Sequence, residues 1–160
     1  MLFDLETTGI SRNTDEVIEI SAVKVRNGRV VDEFSHLVNP GKSIPYAASM
    51  VNNITNQMVR NAPHFDRVLE LLDIMDVGYE IDTLVGHNIC SFDMPFIYRD
   101  CERYLGKTIS NDYIDTLRLA RKVFPDWKHR RLSDLAEYYG ISTEGAHRAL
   151  ADCRMNQKIF

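Results

Sequence analysis

The chain has 160 residues, a length typical of one domain with a single hydrophobic core. Hydrophobic residues make up 44% of it, but no apolar stretch approaches the ~20 residues that a membrane-spanning helix needs, and no signal peptide opens it. The net charge of −4 argues against a protein that holds nucleic acid by a broad basic surface, although nucleic acid is still possible as the substrate of an acidic metal site. We therefore expect one cytoplasmic domain over residues 1–160, without membrane association.

The three cysteines, Cys90, Cys101 and Cys153, are scattered and include no C-x-x-C pair. This spacing disfavours a zinc ribbon or a disulfide framework. We expect reduced, buried thiols instead, because cysteines outside disulfides are usually buried.

An apolar run from Met1 to Leu5 predicts a first β-strand. Asp4 and Glu6 stand two residues apart at its end, so a strand would direct both carboxylates to one face. Their Cβ atoms would lie about 6–7 Å apart, near enough to bind divalent cations together. A solvated acidic strand end is the commoner explanation of an isolated D-x-E, so the other segments must decide.

A polar turn at Ser11 to Asp15 leads to two alternating runs, Val17 to Val25 and Val30 to Val38. Asn27-Gly28 between them is typical of a β-hairpin. A loop is expected next, marked by Pro40, Gly41 and Pro45.

Helical and extended patterns alternate in the remainder of the chain. A helix containing Phe65 follows Ala62-Pro63, and Thr83 to His87 predicts a short strand. The later predictions are a helix from Phe92 or Asp93 to about Leu105, an extended piece at Ile109 to Tyr113, helices at Asp115 to Val123 and Ser133 to Tyr139, and a last helix from Ala146 or His147 to the end. Leading strands followed by alternating helices and strands indicate an α/β domain with a mixed sheet.

Two of these later segments carry further candidate chemistry. Gly86-His87-Asn88 leads to Asp93 near a helix N-terminus, where an aspartate is often only a cap worth about 1 kcal/mol. His147 precedes Asp152 by about one and a half helical turns. An isolated pair of this kind usually consists of exposed surface residues without a chemical role. Each segment alone therefore stays ambiguous.

Taken together and in order, the three segments resemble the motifs of DEDD 3′–5′ exonucleases, in the DnaQ-like branch with a histidine in the third motif. The matching motifs are Asp4-x-Glu6-Thr7-Thr8-Gly9, Gly86-His87-Asn88-x-x-x-Phe92-Asp93 and His147-x-Ala149-x-x-Asp152. Ile114 to Leu117 and Arg131 to Ala136 also look like family segments. The resemblance implies a ribonuclease H-like fold, with a central mixed five-stranded sheet that includes an antiparallel hairpin strand and is flanked by helices.

The sequence departs from the family pattern in three places. The second motif has an additional residue between Asn88 and Phe92, which leaves Phe92-Asp93 intact. Asn52-Asn53-Ile54-Thr55 stands where relatives often have His-Gly-Ile-Thr, and Asn53 can adopt the left-handed conformation of that glycine. The first strand begins almost at residue 1, which favours a domain excised from, or part of, a longer chain.

By resemblance, the chain hydrolyses phosphodiester bonds at the 3′ end of single-stranded nucleic acid and releases nucleoside 5′-monophosphates. Two divalent ions, Mg²⁺ or Mn²⁺, would be held by four carboxylates, with Asp4 bridging both, Glu6 and Asp152 completing one site and Asp93 serving the other. His147 would act as general base, since histidine accepts a proton near neutral pH.

Weaker expectations concern binding of the terminal nucleotide. By resemblance the residues that face it are Leu5, Thr7, Thr8, Asn88 and Phe92, although Phe92 fits a core position equally well. Asp115 resembles a family acid, but an N-cap for the following helix explains it equally well. The basic run Lys128 to Arg131 could bind backbone phosphates or form a solvated loop.

Several functions are compatible with this family. DNA proofreading or trimming with a DNA polymerase III subunit or an adjoining polymerase domain is the first interpretation, and RNA processing is the alternative. A haloacid-dehalogenase phosphatase is disfavoured because Glu6 occupies the second place of its D-x-D-x-T loop and no later Asp-Asp pair follows an apolar strand. A catalytically silent interaction module is disfavoured because all four acids and the histidine are present.

Overall fold

The computed structural model describes residues 1–74 and 83–160. Its strands are β1 (Leu2–Thr7), β2 (Val17–Arg26), β3 (Arg29–Leu37), β4 (Leu84–Gly86) and β5 (Tyr113–Asp115). Within the described residues they form one sheet in the order β3-β2-β1-β4-β5. The pairs β3/β2 and β2/β1 are antiparallel, whereas β1/β4 and β4/β5 are parallel. The predicted mixed five-stranded sheet is confirmed.

Helices flank this sheet. Those in the described residues are α1 (Tyr46–Asn52), α2 (Asn56–Val59), α3 (Phe65–Ile74), α4 (Asp93–Leu105), α5 (Thr116–Val123), α6 (Leu132–Tyr138) and α7 (Ala149–Ile159). In this part of the chain, no helix is long and apolar enough to cross a membrane.

The hairpin and the α4 prediction are confirmed by the backbone. Asn27 and Gly28 have φ angles of 51° and 74°, as both central positions of a type I′ turn require. Helix α4 begins at Asp93 and ends where Gly106 becomes left-handed, with a φ of 60°.

The sequence predicted neither α1 nor α2. Pro45, taken as part of a loop, is the extended residue that immediately precedes α1, a boundary at which proline is well tolerated. Thr55 caps α2, since its side chain accepts a hydrogen bond from the Met58 N–H. Asn53, between the two helices, has a φ of 58°, so its predicted left-handed conformation is confirmed.

Two predicted element positions are wrong. Strand β5 covers Tyr113–Asp115 rather than Ile109 to Tyr113, because parallel pairing with β4 aligns Gly86 with Asp115. Helix α7 begins at Ala149 rather than at Ala146 or His147, because the φ of 67° at His147 cannot belong to a right-handed helix.

The two faces of the sheet bury different sets of side chains. Phe3 and Leu5 of β1 join the larger core, which includes Val68 of α3 and Phe96 of α4. Leu2, on the opposite face, packs in a second cluster with Val23, Val85 and Cys153 of α7. Because strand side chains alternate, Asp4 and Glu6 belong to the face covered by α7.

All three cysteines lie within the described residues, and none forms a disulfide. Cys101 and Cys153 are buried as predicted. The burial prediction is wrong for Cys90, which is partly exposed because it lies in the turn before α4, where Arg118 Nη2 donates to its sulfur at 3.0 Å.

Candidate active site

Three acidic side chains from two elements meet on the α7 face of the sheet. Oxygen atoms of Asp4 and Glu6 from β1 and of Asp152 from α7 all lie within 4.8 Å of one another. All three side chains are partly buried. The alternation of β1 supplies the first two, and the first turn of α7 supplies the third.

Asp93 is held close to this group by the backbone of β1. It is the first residue of α4 rather than its N-cap, a position that Phe92 occupies. Its side chain is 2% exposed, and its Oδ1 accepts a 3.0 Å hydrogen bond from the Leu5 N–H. Among neighbouring charges, Asp93 contributes most to the raised pKa of Asp4, after burial itself.

Burial raises the pKa of every carboxyl group in this cluster, and the charges of neighbouring acids raise each of them further. Burial, followed by the charges of Asp152 and Glu19, raises the pKa of Glu6 to about 8. Burial raises the pKa of Asp93 to about 8 and that of Asp152 to about 6. Nearby positive charge would lower these pKa values and favour the charged forms, which makes the cluster suited to cations.

His147 lies directly beside Asp152 in the loop before α7. Its backbone N–H faces both carboxylate oxygens of Asp152 at 3.3 Å, and its side chain is exposed. The left-handed backbone at His147 allows the chain to turn into α7 at this point. The structure therefore brings His147 to the edge of the cluster.

Leu5, Thr7 and Thr8, which were predicted to face the terminal nucleotide, make contacts within the protein. Leu5 is buried in the larger core. The Thr7 hydroxyl donates to the Gly9 carbonyl at 2.6 Å, and the Thr8 hydroxyl donates to Asp15 Oδ1 at 3.0 Å. These hydroxyls therefore organise the turn after β1.

Asn88 and Phe92 shape the turn that leads to Asp93. Asn88 has a φ of 68°, and its N–H donates to Asp115 Oδ1 at 3.0 Å. Phe92 is partly buried against the larger core, with its ring centroid 5.5 Å from that of Phe96. Asp115 is indeed an N-cap, because its side chain also accepts from the N–H groups of Leu117 and Arg118.

The basic run is partly used within its own loop. Arg130 donates to the carbonyl oxygens of Phe124, at 2.8 Å, and of Pro125. Arg131 pairs with Asp134 at 2.9 Å. Lys128 and His129 are exposed and stay candidates for phosphate contacts.

Sequence reasoning missed three residues around the cluster. Asn52 is 2% exposed, donates to the Thr7 carbonyl at 3.5 Å and makes a side-chain hydrogen bond with Glu6. Glu19 is 3% exposed on β2 and pairs with Arg148. A glutamate between Ile18 and Ile20 in an apolar strand was the available signal for this buried charge.

A family model described as Exonuclease (RNase_T) matches residues 1–160 of this chain. The chain belongs to the exonuclease family. Its curated relatives include two that align with the whole chain: DNA polymerase III PolC-type of Clostridium perfringens, 41% identical, and DNA polymerase III subunit epsilon of Aquifex aeolicus, 40% identical. The chain spans 11% of the first relative and 77% of the second.

Solved exonuclease structures share the fold. Exonuclease X in complex with 5′ overhanging duplex DNA is 28% identical with a TM-score of 0.73, and the match covers 99% of this chain and 86% of that one. Escherichia coli Exonuclease I in complex with a dA16 oligonucleotide has a TM-score of 0.84 at 18% identity, covering 99% and 39% of the two chains. The α/β, ribonuclease H-like fold expected from the sequence is thereby confirmed.

Proposed function

We propose that this exonuclease domain removes nucleoside 5′-monophosphates from the 3′ end of single-stranded DNA. The observation that carries the proposal is the convergence of Asp4, Glu6 and Asp152 within 4.8 Å, with Asp93 adjoining. A site for acid–base chemistry alone would not require so many carboxylates whose charges oppose one another. Phosphodiester hydrolysis uses such a group of carboxylates when they hold divalent cations.

The donor set fits the two divalent ions expected from the sequence. Every candidate ligand is a carboxylate oxygen, which favours hard cations such as Mg²⁺ or Mn²⁺. Asp4, Glu6 and Asp152 would hold one ion, and Asp4 with Asp93 a second. When bound, the ions would stabilise the negative charge that develops on the reacting phosphate.

The protein's own groups have separable roles in this proposal. His147 is exposed beside Asp152, where its imidazole can accept the proton of the attacking water. Asn52 orients Glu6 through its side-chain hydrogen bond. The Leu5 N–H fixes Asp93, so the backbone of β1 aligns the ligand at the start of α4 with Asp4 and Glu6 on β1 itself.

The biological setting that we propose is proofreading or trimming by a DNA polymerase III assembly in the cytoplasm. Support comes from the two relatives, one a PolC-type polymerase and one an epsilon subunit. The partner would accordingly be either a polymerase subunit or polymerase sequence adjoining this domain. Co-elution of the protein with a polymerase III catalytic subunit in gel filtration would test whether the partner is a separate polymerase subunit.

Labelled oligonucleotides test the activity itself. DNA and RNA strands of one sequence, labelled at either end, are incubated with the protein and Mg²⁺ or Mn²⁺. We expect stepwise shortening of the 5′-labelled DNA and early release of the 3′ label as a mononucleotide. Faster cleavage of RNA would favour the RNA-processing alternative, and shortening from the 5′ end would contradict the proposal.

Asp4→Asn is the matching active-site variant, because it keeps the shape of the side chain and removes its charge. We expect at least about a 100-fold lower rate, beyond the loss typical of groups that only support metal ligands. Glu33→Gln is the control, since Glu33 is an acid on β3 that pairs with Arg154 outside the cluster. Wild-type rates for Asp4→Asn would contradict the metal assignment, and inactivity of the unmodified protein would favour the silent module.

A further inference from the structure

Glu19 is a buried carboxylate next to the active-site cluster whose oxygens are already occupied. It pairs with Glu6 in the β1/β2 register and is 3% exposed. Arg148 donates to it from Nε at 3.0 and 3.1 Å and from Nη2 at 2.5 Å. The Ala149 N–H donates to the same carboxylate at 3.0 Å. Glu19 thus serves as an anchor rather than as a metal ligand.

This anchor acts on the N-terminus of α7. Arg148 is the N-cap residue of α7, and within the described residues its side chain makes no capping bond to the helix. The first N–H groups of a helix need acceptors and favour a negative charge. Glu19 supplies both from β2, across 130 residues of sequence.

The anchored position determines where two active-site residues lie. His147 immediately precedes Arg148, and the Asp152 N–H donates to the Arg148 carbonyl at 3.0 Å. A displacement of Arg148 would therefore move both His147 and Asp152 relative to β1. Losing Arg148 would also leave Glu19 as an unpaired buried charge beside Glu6.

We propose that Glu19 and Arg148 form a positioning pair that places Asp152 and His147 against Asp4 and Glu6. The pair sets metal affinity and turnover while neither member touches the substrate. This inference rests on the proposed function of the carboxylate cluster. It adds two residues, from β2 and from the start of α7, to those required for activity.

Arg148→Met tests the pair, with Arg154→Met as a matched control. Arg154 lies in the middle of the same helix and also makes a bidentate ion pair with a strand glutamate, Glu33 of β3. This pair is more exposed than the Arg148–Glu19 pair, and neither member belongs to the carboxylate cluster. We expect Arg148→Met to weaken Mn²⁺ binding, measured by calorimetry without nucleic acid, by about 10–100-fold. Its kcat should fall similarly with little change in KM for the oligonucleotide, whereas Arg154→Met should keep both values.

Glu19→Gln provides a second, milder test should Arg148→Met fold poorly. Glutamine retains an oxygen for the Ala149 N–H and loses the ion pair, so we expect a smaller loss of Mn²⁺ affinity in the same direction. If both variants lower only the melting temperature and bind Mn²⁺ like the wild type, the pair is merely structural and the inference is wrong. A wild-type protein that binds no Mn²⁺ would contradict the proposed function as well, which separates the two failures.

Discussion

The backbone N–H of Leu5 donates a 3.0 Å hydrogen bond to Oδ1 of Asp93, 88 residues further along the chain. The bond fastens the first turn of α4 to β1, the strand that carries Asp4 and Glu6. An acid that sequence reasoning could explain as a helix cap is instead held in place by the strand that holds its partners. Both the main chain and the side chains of β1 therefore organise the site.

Two replacements of Asp93 distinguish the role of this hydrogen bond from the role of the carboxylate charge. Asp93→Asn keeps an oxygen for the Leu5 N–H, so we expect wild-type stability in urea but at least about a 100-fold loss of nuclease activity. Asp93→Ala should lose the activity equally and also about 1–3 kcal/mol of unfolding free energy, because it leaves a buried N–H without its acceptor. Wild-type activity of Asp93→Asn would remove Asp93 from the ligand set.

The raised carboxyl pKa values predict an unusual pH dependence of stability without metal. Folding raises the pKa of Glu6 and of Asp93 to about 8 and that of Asp152 to about 6, whereas unfolded carboxyl groups titrate near 4. Between these limits the folded state binds protons that the unfolded state has released. The free energy of unfolding should therefore fall as the pH rises from about 4 to about 8.

Melting temperatures measured in EDTA across this range would show that decline. Added Mg²⁺ or Mn²⁺ should raise the melting temperature more at high pH than at low pH, because the metal competes with the protons on these groups. Glu6→Gln should flatten the decline, since one of the raised groups is then absent. A melting temperature that rises with pH in EDTA would contradict the electrostatic account of the cluster.

His147 can be tested without disturbing the turn that it occupies. Its φ of 67° strains most side chains, but asparagine adopts this conformation readily, so His147→Asn is preferable to His147→Ala. We expect kcat to fall by about 10²–10⁴-fold, the usual contribution of a general base, with stability and Mn²⁺ affinity retained. Unchanged kcat from about pH 6 to 9 would show that the histidine is structural.

Local patterns were sufficient to predict much of the fold and the candidate ligands. The period of two in β1 placed Asp4 and Glu6 on one face, and Asn27-Gly28 specified the hairpin. Helix α1 was not predicted because a proline such as Pro45 is typical both of a loop and of the start of a helix. The Glu19–Arg148 pair could not be predicted, since it joins residues 129 positions apart and depends on how α7 packs on β2.

Asp115 joins three elements through one side chain, and its loss should be mainly structural. Its carboxylate accepts hydrogen bonds from the N–H groups of Asn88 and Cys90 in the turn before Asp93, and from Leu117 and Arg118 at the start of α5. Asp115→Ala removes a cap worth about 1 kcal/mol and leaves further N–H groups unsatisfied, so we expect a loss of about 2–4 kcal/mol of unfolding free energy.

Asp115→Asn retains one oxygen acceptor and should recover part of that stability. Affinity for Mn²⁺ provides the decisive comparison, because Asp115 supports the turn and is not a member of the carboxylate cluster. At a temperature where Asp115→Asn is fully folded, its affinity for Mn²⁺ should equal that of the wild type. A loss of Mn²⁺ affinity as large as that of Asp93→Asn would show instead that Asp115 belongs to the metal site.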